Sequence, residues 1–274
     1  AADLIFRLVW ARKPRRALVT APTFAEYATA LDSVSCTVER FFLREQEDFA
    51  VTDAFCAAIR PGVDMVFLCQ PNNPTGQLTA LPLVEQILRR CAACGTLLVV
   101  DECFLDFLPD HALHTAKGLL GEGDLVILKA FTKLYGMAGV RLGYALSADT
   151  ALLEQMQACG QPWGVSSLAQ AAGLAALEET AYVDFSANVS PLGLPEGVAR
   201  AITAALPTAD RYPDPLCREL RAKLALHEGV PAEQILCGNG AADLIFRLVW
   251  ARKPRRALRP IEPEDILRAN RMMA

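Results

Sequence analysis

Five short apolar runs, separated by helical patterns, constrain the fold of this chain more than any other feature of its sequence. Uninterrupted apolar runs of this length, bounded by turn residues, are typical of parallel strands buried on both faces. Helical patterns lie between most of them, as in residues 81–93 and 150–159. The sequence therefore predicts an α/β fold with a doubly wound, mainly parallel sheet. Its predicted parallel strands are residues 17–20, 65–69, 97–100, 125–128 and 142–145.

An identical 18-residue segment occurs twice, as residues 1–18 and 241–258. Natural repeats diverge, so identity suggests a rearrangement rather than a repeat family. The first copy runs into a predicted strand, whereas the second follows a predicted strand and the glycine turn Gly238-Asn239-Gly240. Joining the copies produces strand, turn, helix and strand in order. The sequence therefore predicts a circular permutation with a duplicated junction.

Only one copy can form the helix between the predicted strand that precedes Gly238 and the predicted strand 17–20. We expect 241–258 to form it, because that copy is covalently continuous with the glycine turn. Residues 1 to about 16 would then be displaced, exchanged with another chain or disordered. The opposite placement would instead keep strand 17–20 continuous with its helix.

Composition excludes several classes of protein. A net charge of −4 and a pI near 5.5 argue against nucleic acid as a partner. Nine scattered cysteines favour a reducing cytoplasm over a disulfide scaffold. We find no apolar run long enough for a membrane span and no signal peptide. No metal site is expected, since the Cys91/Cys94 pair lacks a second pair and His111 and His114 lack a third ligand.

Asp101 follows the predicted strand 97–100 directly. A carboxylate at the end of a buried strand is costly unless a cation pairs with it. A protonated pyridine nitrogen would be such a cation, and the pair would make the ring a better electron sink. The alternative is an aspartate that caps the next element.

Lys133 lies just past the predicted strand 125–128. Desolvation there would lower its pKa and free the amine for attack on a carbonyl carbon. The Thr132 hydroxyl and the Arg141 guanidinium both suit a phosphate. The alternative interpretation is that these charges are ordinary solvated surface groups.

Two turns carry weaker signals. Gly238-Asn239-Gly240 opens a predicted helix, and the amides of a helix start favour an anion. The turn 70–76 places the Asn73 amide at a strand end, where it could donate to a ring oxygen. Each is also explained by a turn alone.

Taken together, these motifs resemble the fold-type I pyridoxal-phosphate (PLP) enzymes of the class I/II aminotransferase superfamily. The resemblance rests on GNGAAD, PTFAEY, PNNPTG, VVDECFLDF and FTKLYGMAGVRLGY. The segments DFSANVSPLG, RYPDP and QPWGVSSLAQAA are most similar to its decarboxylases of phosphorylated amino acids. The resemblance divides the chain into a first junction copy (1–18), the main part of the PLP-binding domain (19–182), a family N-terminal segment completing that domain (183–258) and an extra tail (259–274).

The resemblance implies PLP as the cofactor, with Lys133 as the Schiff-base lysine and Asp101 on the pyridine nitrogen. It further implies that Asn73 bonds the phenolic oxygen and that Phe24 stacks on the ring. The phosphate would be held by Thr132, Arg141 and the amides of Gly240, Ala241 and Ala242. Tyr212 would reach the phosphate of the neighbouring subunit's cofactor, which implies a homodimer, and Asn188 would lie near a small phosphorylated amino-acid substrate.

Two departures from the family pattern bear on activity. The aminotransferases usually have tyrosine three residues after the aspartate, where this chain has Phe104, which favours a decarboxylase. After Tyr182 the family continues into a small domain with a carboxylate-binding arginine, for which this sequence shows no equivalent. The expected function is therefore a PLP-dependent decarboxylase. The alternatives are an aminotransferase acting on a phosphorylated amino acid or histidinol phosphate, and an inactive rearranged scaffold.

Overall fold

A computed structural model of the chain describes residues 2–137, 139–160, 163–178, 194–208 and 213–239. The strands within these ranges are β1 (Arg16–Ala21), β2 (Thr37–Phe42), β3 (Met65–Cys69), β4 (Leu97–Asp101), β5 (Leu125–Ala130), β6 (Gly143–Leu146) and β7 (Ile235–Gly238). The α-helices are α1 (Ala2–Arg12), α2 (Glu26–Asp32), α3 (Ala54–Ala58), α4 (Leu81–Cys94), α5 (Phe131–Leu134), α6 (Thr150–Ala158), α7 (Ser167–Ala176), α8 (Glu196–Ala205) and α9 (Arg218–Glu228). None of these helices is long and apolar enough to cross a membrane.

The described strands form one sheet in the order β2-β1-β3-β4-β5-β6-β7. β1 to β5 are parallel to one another, whereas β6 is antiparallel to both β5 and β7. The predicted α/β fold with a mainly parallel sheet is confirmed. The central strands β3, β4 and β5 are buried along their whole length, which explains why they could be recognised as apolar runs.

The prediction that 142–145 is a parallel strand was wrong, because β6 runs the other way. A parallel neighbour of β5 would need a crossover that returns the chain to the opposite edge of the sheet. Between residues 131 and 142, the described residues include only the single helical turn of α5. The chain therefore re-enters the sheet from the edge at which β5 ends.

The first junction copy forms α1, and the expectation that it would be displaced was wrong. Its apolar side chains Leu4, Ile5, Leu8 and Val9 have 0% of their surface exposed and belong to the main core. α1 packs against α2 and α6, and only residues 13–15 separate it from β1. Such a short link costs little chain entropy to close, so burial of the apolar face outweighs it. The second copy, 241–258, lies outside the described residues.

The direction of α1 follows from two contacts at its last turn. Arg12 forms an ion pair with Asp149 at 2.7 Å, and the Trp10 indole N–H donates to Ser33 Oγ at 2.7 Å. Asp149 follows the end of antiparallel β6, and Ser33 follows the end of α2. Both positions lie at the amino edge of the parallel strands. The 11-residue helix therefore begins toward their carboxyl edge.

β7 lies beside β6, with Gly238 paired to Gly143. A segment late in the chain thus completes the same sheet as the earlier strands. This arrangement agrees with the predicted permutation, which stays a prediction.

Candidate functional site

Four neighbouring parallel strands, β1, β3, β4 and β5, end at one edge of the sheet. The strand register pairs Cys69 with Asp101, and Asp101 with Leu128. The residues predicted from sequence follow these strand ends: Phe24 after β1, Asn73 after β3, Asp101 at the end of β4, and Thr132 and Lys133 after β5. Such an edge is where α/β sheets bind ligands.

Asp101 is only 3% exposed, and its carboxylate is held from two sides. The Tyr27 hydroxyl donates to Oδ2 at 2.7 Å, and the backbone N–H of Cys103 donates to Oδ1 at 3.1 Å. Neither partner is a cation. A carboxylate has about four acceptor positions, and within the described residues these two N–H and O–H donors occupy two of them. In the part of the chain that the structure describes, this buried anion has neutral hydrogen-bond partners, so it fits a protonated ring nitrogen, which would supply a positive charge.

Tyr27 is a site residue that sequence reasoning missed. It is 0% exposed on α2, and its ring stacks on Phe67 with centroids 4.9 Å apart. Phe24, the predicted ring-stacking residue, meets it edge to face at 5.5 Å. Burial first, and then the Asp101 charge, raise the pKa of the Tyr27 hydroxyl well above its ordinary value. The hydroxyl therefore stays protonated and donates to Asp101.

The amine of Lys133 lies in a half-buried position on α5, directly after β5. Its Nζ lies 5.8 Å from the centroid of the Phe104 ring. Burial lowers the pKa of Lys133; nearby Cys103 opposes this shift, and the positive charge of Arg141 adds to it. The environment thus shifts the amine toward its neutral form, which is the form that attacks an aldehyde.

Thr132 and Arg141 come from either side of the β5–β6 connection. Thr132 is buried on α5, whereas Arg141 is exposed and has a φ of 60°. A non-glycine residue in this left-handed region is uncommon. Gly143, two residues after Arg141, pairs with both Ala130 and Gly238. The end of β5, the start of β6 and the end of β7 therefore meet on the side of the sheet that carries Lys133.

Asn72 links the two loops that carry Phe24 and Asn73 by hydrogen bonds. It is the second site residue that was not identified from the sequence. The buried Asn72 amide accepts a hydrogen bond from Thr23 Oγ1 at 2.9 Å and donates to the carbonyl oxygen of Pro22 at 3.0 Å. Asn73 is half-buried, and its backbone N–H donates to Cys69 Sγ at 3.4 Å. The loop after β3 is thereby fixed to the loop after β1.

Glu102, next to Asp101, belongs to a different set of contacts. It is buried and accepts hydrogen bonds from Thr115 Oγ1 at 2.8 Å and the N–H of Ala116 at 2.7 Å, with Lys129 Nζ at 3.8 Å. Burial raises its pKa, against the opposing effect of Lys129. The two adjacent acids therefore have separate environments, and only Asp101 contacts Tyr27.

Five of the predicted site residues lie outside the described part of the chain: Asn188, Tyr212, Gly240, Ala241 and Ala242. Their roles stay predictions. Within the described residues, no group of three or more His, Cys, Asp and Glu side chains could hold a metal ion.

Comparison with known proteins bears on the family and the fold of this chain. The family model for class I and II aminotransferases matches residues 1–184. A threonine-phosphate decarboxylase of Salmonella typhimurium is 40% identical over 180 residues, which are 66% of this chain and 49% of that protein. A histidinol-phosphate aminotransferase of Methanococcoides burtonii is 33% identical over 177 residues, 64% of this chain and 47% of that protein.

Among solved structures, the histidinol-phosphate aminotransferase from Clostridium acetobutylicum has a TM-score of 0.54 at 24% identity, covering 60% of this chain and 48% of that one. This likeness shows the fold alone. The chain spans about half the length of the curated relatives it matches. By the family match over residues 1–184, the chain belongs to the class I and II aminotransferase family, and this membership implies pyridoxal phosphate as its cofactor.

Proposed function

We propose that this chain holds PLP through Lys133 and decarboxylates a small phosphorylated amino acid, L-threonine phosphate, the reaction that serves cobalamin synthesis. The observation that carries the proposal is the buried Asp101 carboxylate with two neutral partners, at the same sheet edge as the half-buried Lys133 amine. The similarity to a threonine-phosphate decarboxylase supports the choice of substrate.

Each described residue has a distinct part in this proposal. When bound, PLP supplies an electron sink for the bond broken at the substrate Cα. Asp101 keeps a positive charge on the ring nitrogen, and Lys133 holds the aldehyde and later returns a proton to Cα. Phe24 covers the ring face, and the Asn73 amide donates to the ring oxygen.

The phosphate of the cofactor would be held by Thr132, Arg141 and a helix start. Arg141 offers a planar fork of donors, and Thr132 offers a hydroxyl. The predicted amides of Gly240, Ala241 and Ala242 would complete this set.

Phe104 favours decarboxylation over transamination. Its half-buried ring lies beside the Lys133 amine, in a position where the family's aminotransferases usually have a tyrosine hydroxyl. The histidinol-phosphate aminotransferases among the relatives make transamination of a phosphorylated substrate the second candidate. A rearranged scaffold that binds PLP without turnover is the third.

The assembly and location are also part of the proposal. We propose a homodimer in which Tyr212 reaches the phosphate bound by the neighbouring subunit, with Asn188 near the substrate. We also propose a cytoplasmic location, which the nine cysteines, all of them free, support.

The cofactor claim is tested by adding PLP to the purified chain and recording its absorbance. A new visible band is expected in the wild type and is expected to be lost in Lys133→Ala. Lys223→Ala is the matched control, because Lys223 pairs with Glu178 at the surface. A wild-type protein without the band would refute PLP binding.

Two substrates separate the three candidate activities: L-threonine phosphate, and histidinol phosphate supplied with a keto acid. With L-threonine phosphate, a decarboxylase releases CO2 and needs no keto acid. Transfer of the amino group to an added keto acid, without CO2, would identify an aminotransferase. A protein that shows the band but turns over neither substrate pair would be the scaffold.

A further inference from the structure

We propose that Tyr27 is a positioning residue for the cofactor, which orients the Asp101 carboxylate toward the ring nitrogen. This inference rests on the proposed PLP site. It concerns a residue that makes no predicted contact with the cofactor and acts through Asp101.

Two hydrogen-bond donors hold the Asp101 carboxylate in place. Tyr27 donates to Oδ2 at 2.7 Å, and the Cys103 backbone N–H donates to Oδ1 at 3.1 Å. The Cys103 donor is two residues away along the same chain segment, so it moves with Asp101. Tyr27 lies 74 residues earlier, on α2. It therefore ties the end of β4 to a different element of the fold.

Tyr27 itself has little freedom to move. Its ring is 0% exposed and stacked on Phe67, a residue of β3. Because the ring is held by packing on one side and by Phe24 at its edge, the hydroxyl is presented to Asp101 without a large entropy cost. The same side chain thus connects the residue predicted to cover the cofactor ring with the acid predicted to bind its nitrogen.

Another tyrosine of the chain provides a matched control. The buried Tyr144 hydroxyl donates to the Glu228 carboxylate, in a cluster that also contains Lys117 and Lys129. Tyr144→Phe and Tyr27→Phe each remove one hydroxyl from a buried phenol–carboxylate pair. Only Tyr27 is bonded to Asp101.

The test compares two ligands by titration of the cofactor-free protein. One ligand is PLP, and the other is the same phosphorylated aldehyde with a C–H group in place of the ring nitrogen. Tyr27→Phe is expected to weaken PLP binding by about tenfold or more, the loss typical for a hydrogen bond to a charged group. Binding of the carbon analogue, which cannot pair with Asp101, is expected to change less than about twofold. Tyr144→Phe is expected to leave the preference for PLP over the analogue unchanged.

Equal weakening of both ligands by Tyr27→Phe would show a general structural role and would overturn the inference. Unchanged affinity for PLP would overturn it as well. A wild-type chain that binds no PLP would instead refute the cofactor claim, so the two failures are distinguishable.

A measurement on the wild type covers the case in which Tyr27→Phe does not fold. The chain has five tyrosines, and 13C labelling of the ring carbon that bears the hydroxyl gives one NMR signal for each. The Tyr27 signal, assigned by substituting the other four, is expected to shift on addition of PLP but not of the carbon analogue. Equal shifts with both ligands, or none with PLP, would contradict the inference.

Discussion

The same substitution, made once in each junction copy, tests which copy forms the helix that precedes β1. Leu8 lies on α1 and is 0% exposed within the core. Its counterpart in the second junction copy is Leu248, with identical neighbours in sequence. Leu8→Ala removes three carbon atoms, worth about 2.4 kcal/mol at about 0.8 kcal/mol each. The cavity that remains brings the expected loss in the free energy of unfolding to about 3–4 kcal/mol.

Urea unfolding followed by circular dichroism measures this loss directly. Leu8→Ala should lower the unfolding midpoint, whereas Leu248→Ala should cost under about 1 kcal/mol, as is usual away from a core. The two variants have the same local helix propensity, so the difference between them reports only tertiary packing. A larger loss in Leu248→Ala than in Leu8→Ala would show that the second copy fills the position, and the placement of α1 would be wrong.

Three further predictions concern charged groups. Asp101→Asn should weaken PLP binding at least about tenfold by absorbance titration, because the ring nitrogen loses its anionic partner. Burial and the charge of Arg141 lower the pKa of Lys133. In the cofactor-free protein, an amine-specific reagent should therefore label Lys133 at half its maximal rate below pH 10.5, as measured by mass spectrometry. Arg141→Gln should move that midpoint to higher pH. Burial raises the pKa of Glu228, but Lys129, Tyr144 and Lys117 outweigh it, and the net pKa is lowered. The stability that Glu228 contributes should therefore be present above pH 4.5 and lost as pH falls through the lowered value, and urea unfolding of Glu228→Gln should show a smaller decline in that window.

The central strands were predictable because their burial is visible in local sequence. Residues 65–69 were predicted as a strand and form β3 with the same bounds, since every side chain there is apolar and buried. β2 was not predicted. It is the edge strand of the sheet, and Thr37, Glu39 and Arg40 interrupt its apolar residues, so no apolar run marks it.

The direction of β6 and the contact of Tyr27 were not predictable from local pattern. The direction of β6 depends on the edge of the sheet from which the chain re-enters it after β5, and apolar periodicity does not report this. The Tyr27–Asp101 hydrogen bond joins residues far apart in sequence, and a tyrosine within PTFAEY is equally compatible with plain core packing. Local reasoning did find Asp101 and Lys133, because both directly follow recognisable buried strands.

The placement of α1 also changes which backbone amides can face a cofactor phosphate. α1 begins toward the carboxyl edge of the sheet, and its last turn is anchored at the opposite edge by Arg12. The start of α1 therefore lies on the side of the sheet at which β7 ends, and in this copy Ala2 is the counterpart of Ala242. A phosphate bound there would contact a helix that is not covalently continuous with Gly238. Since a ligand stabilises the form that binds it, by about 2.7 kcal/mol at one hundred times its Kd, PLP should strengthen the packing of α1. Leu8→Ala, which loosens that packing, should then bind PLP more weakly than the wild type in an absorbance titration, whereas a phosphate held by the second copy would leave the affinity of Leu8→Ala unchanged and weaken that of Leu248→Ala.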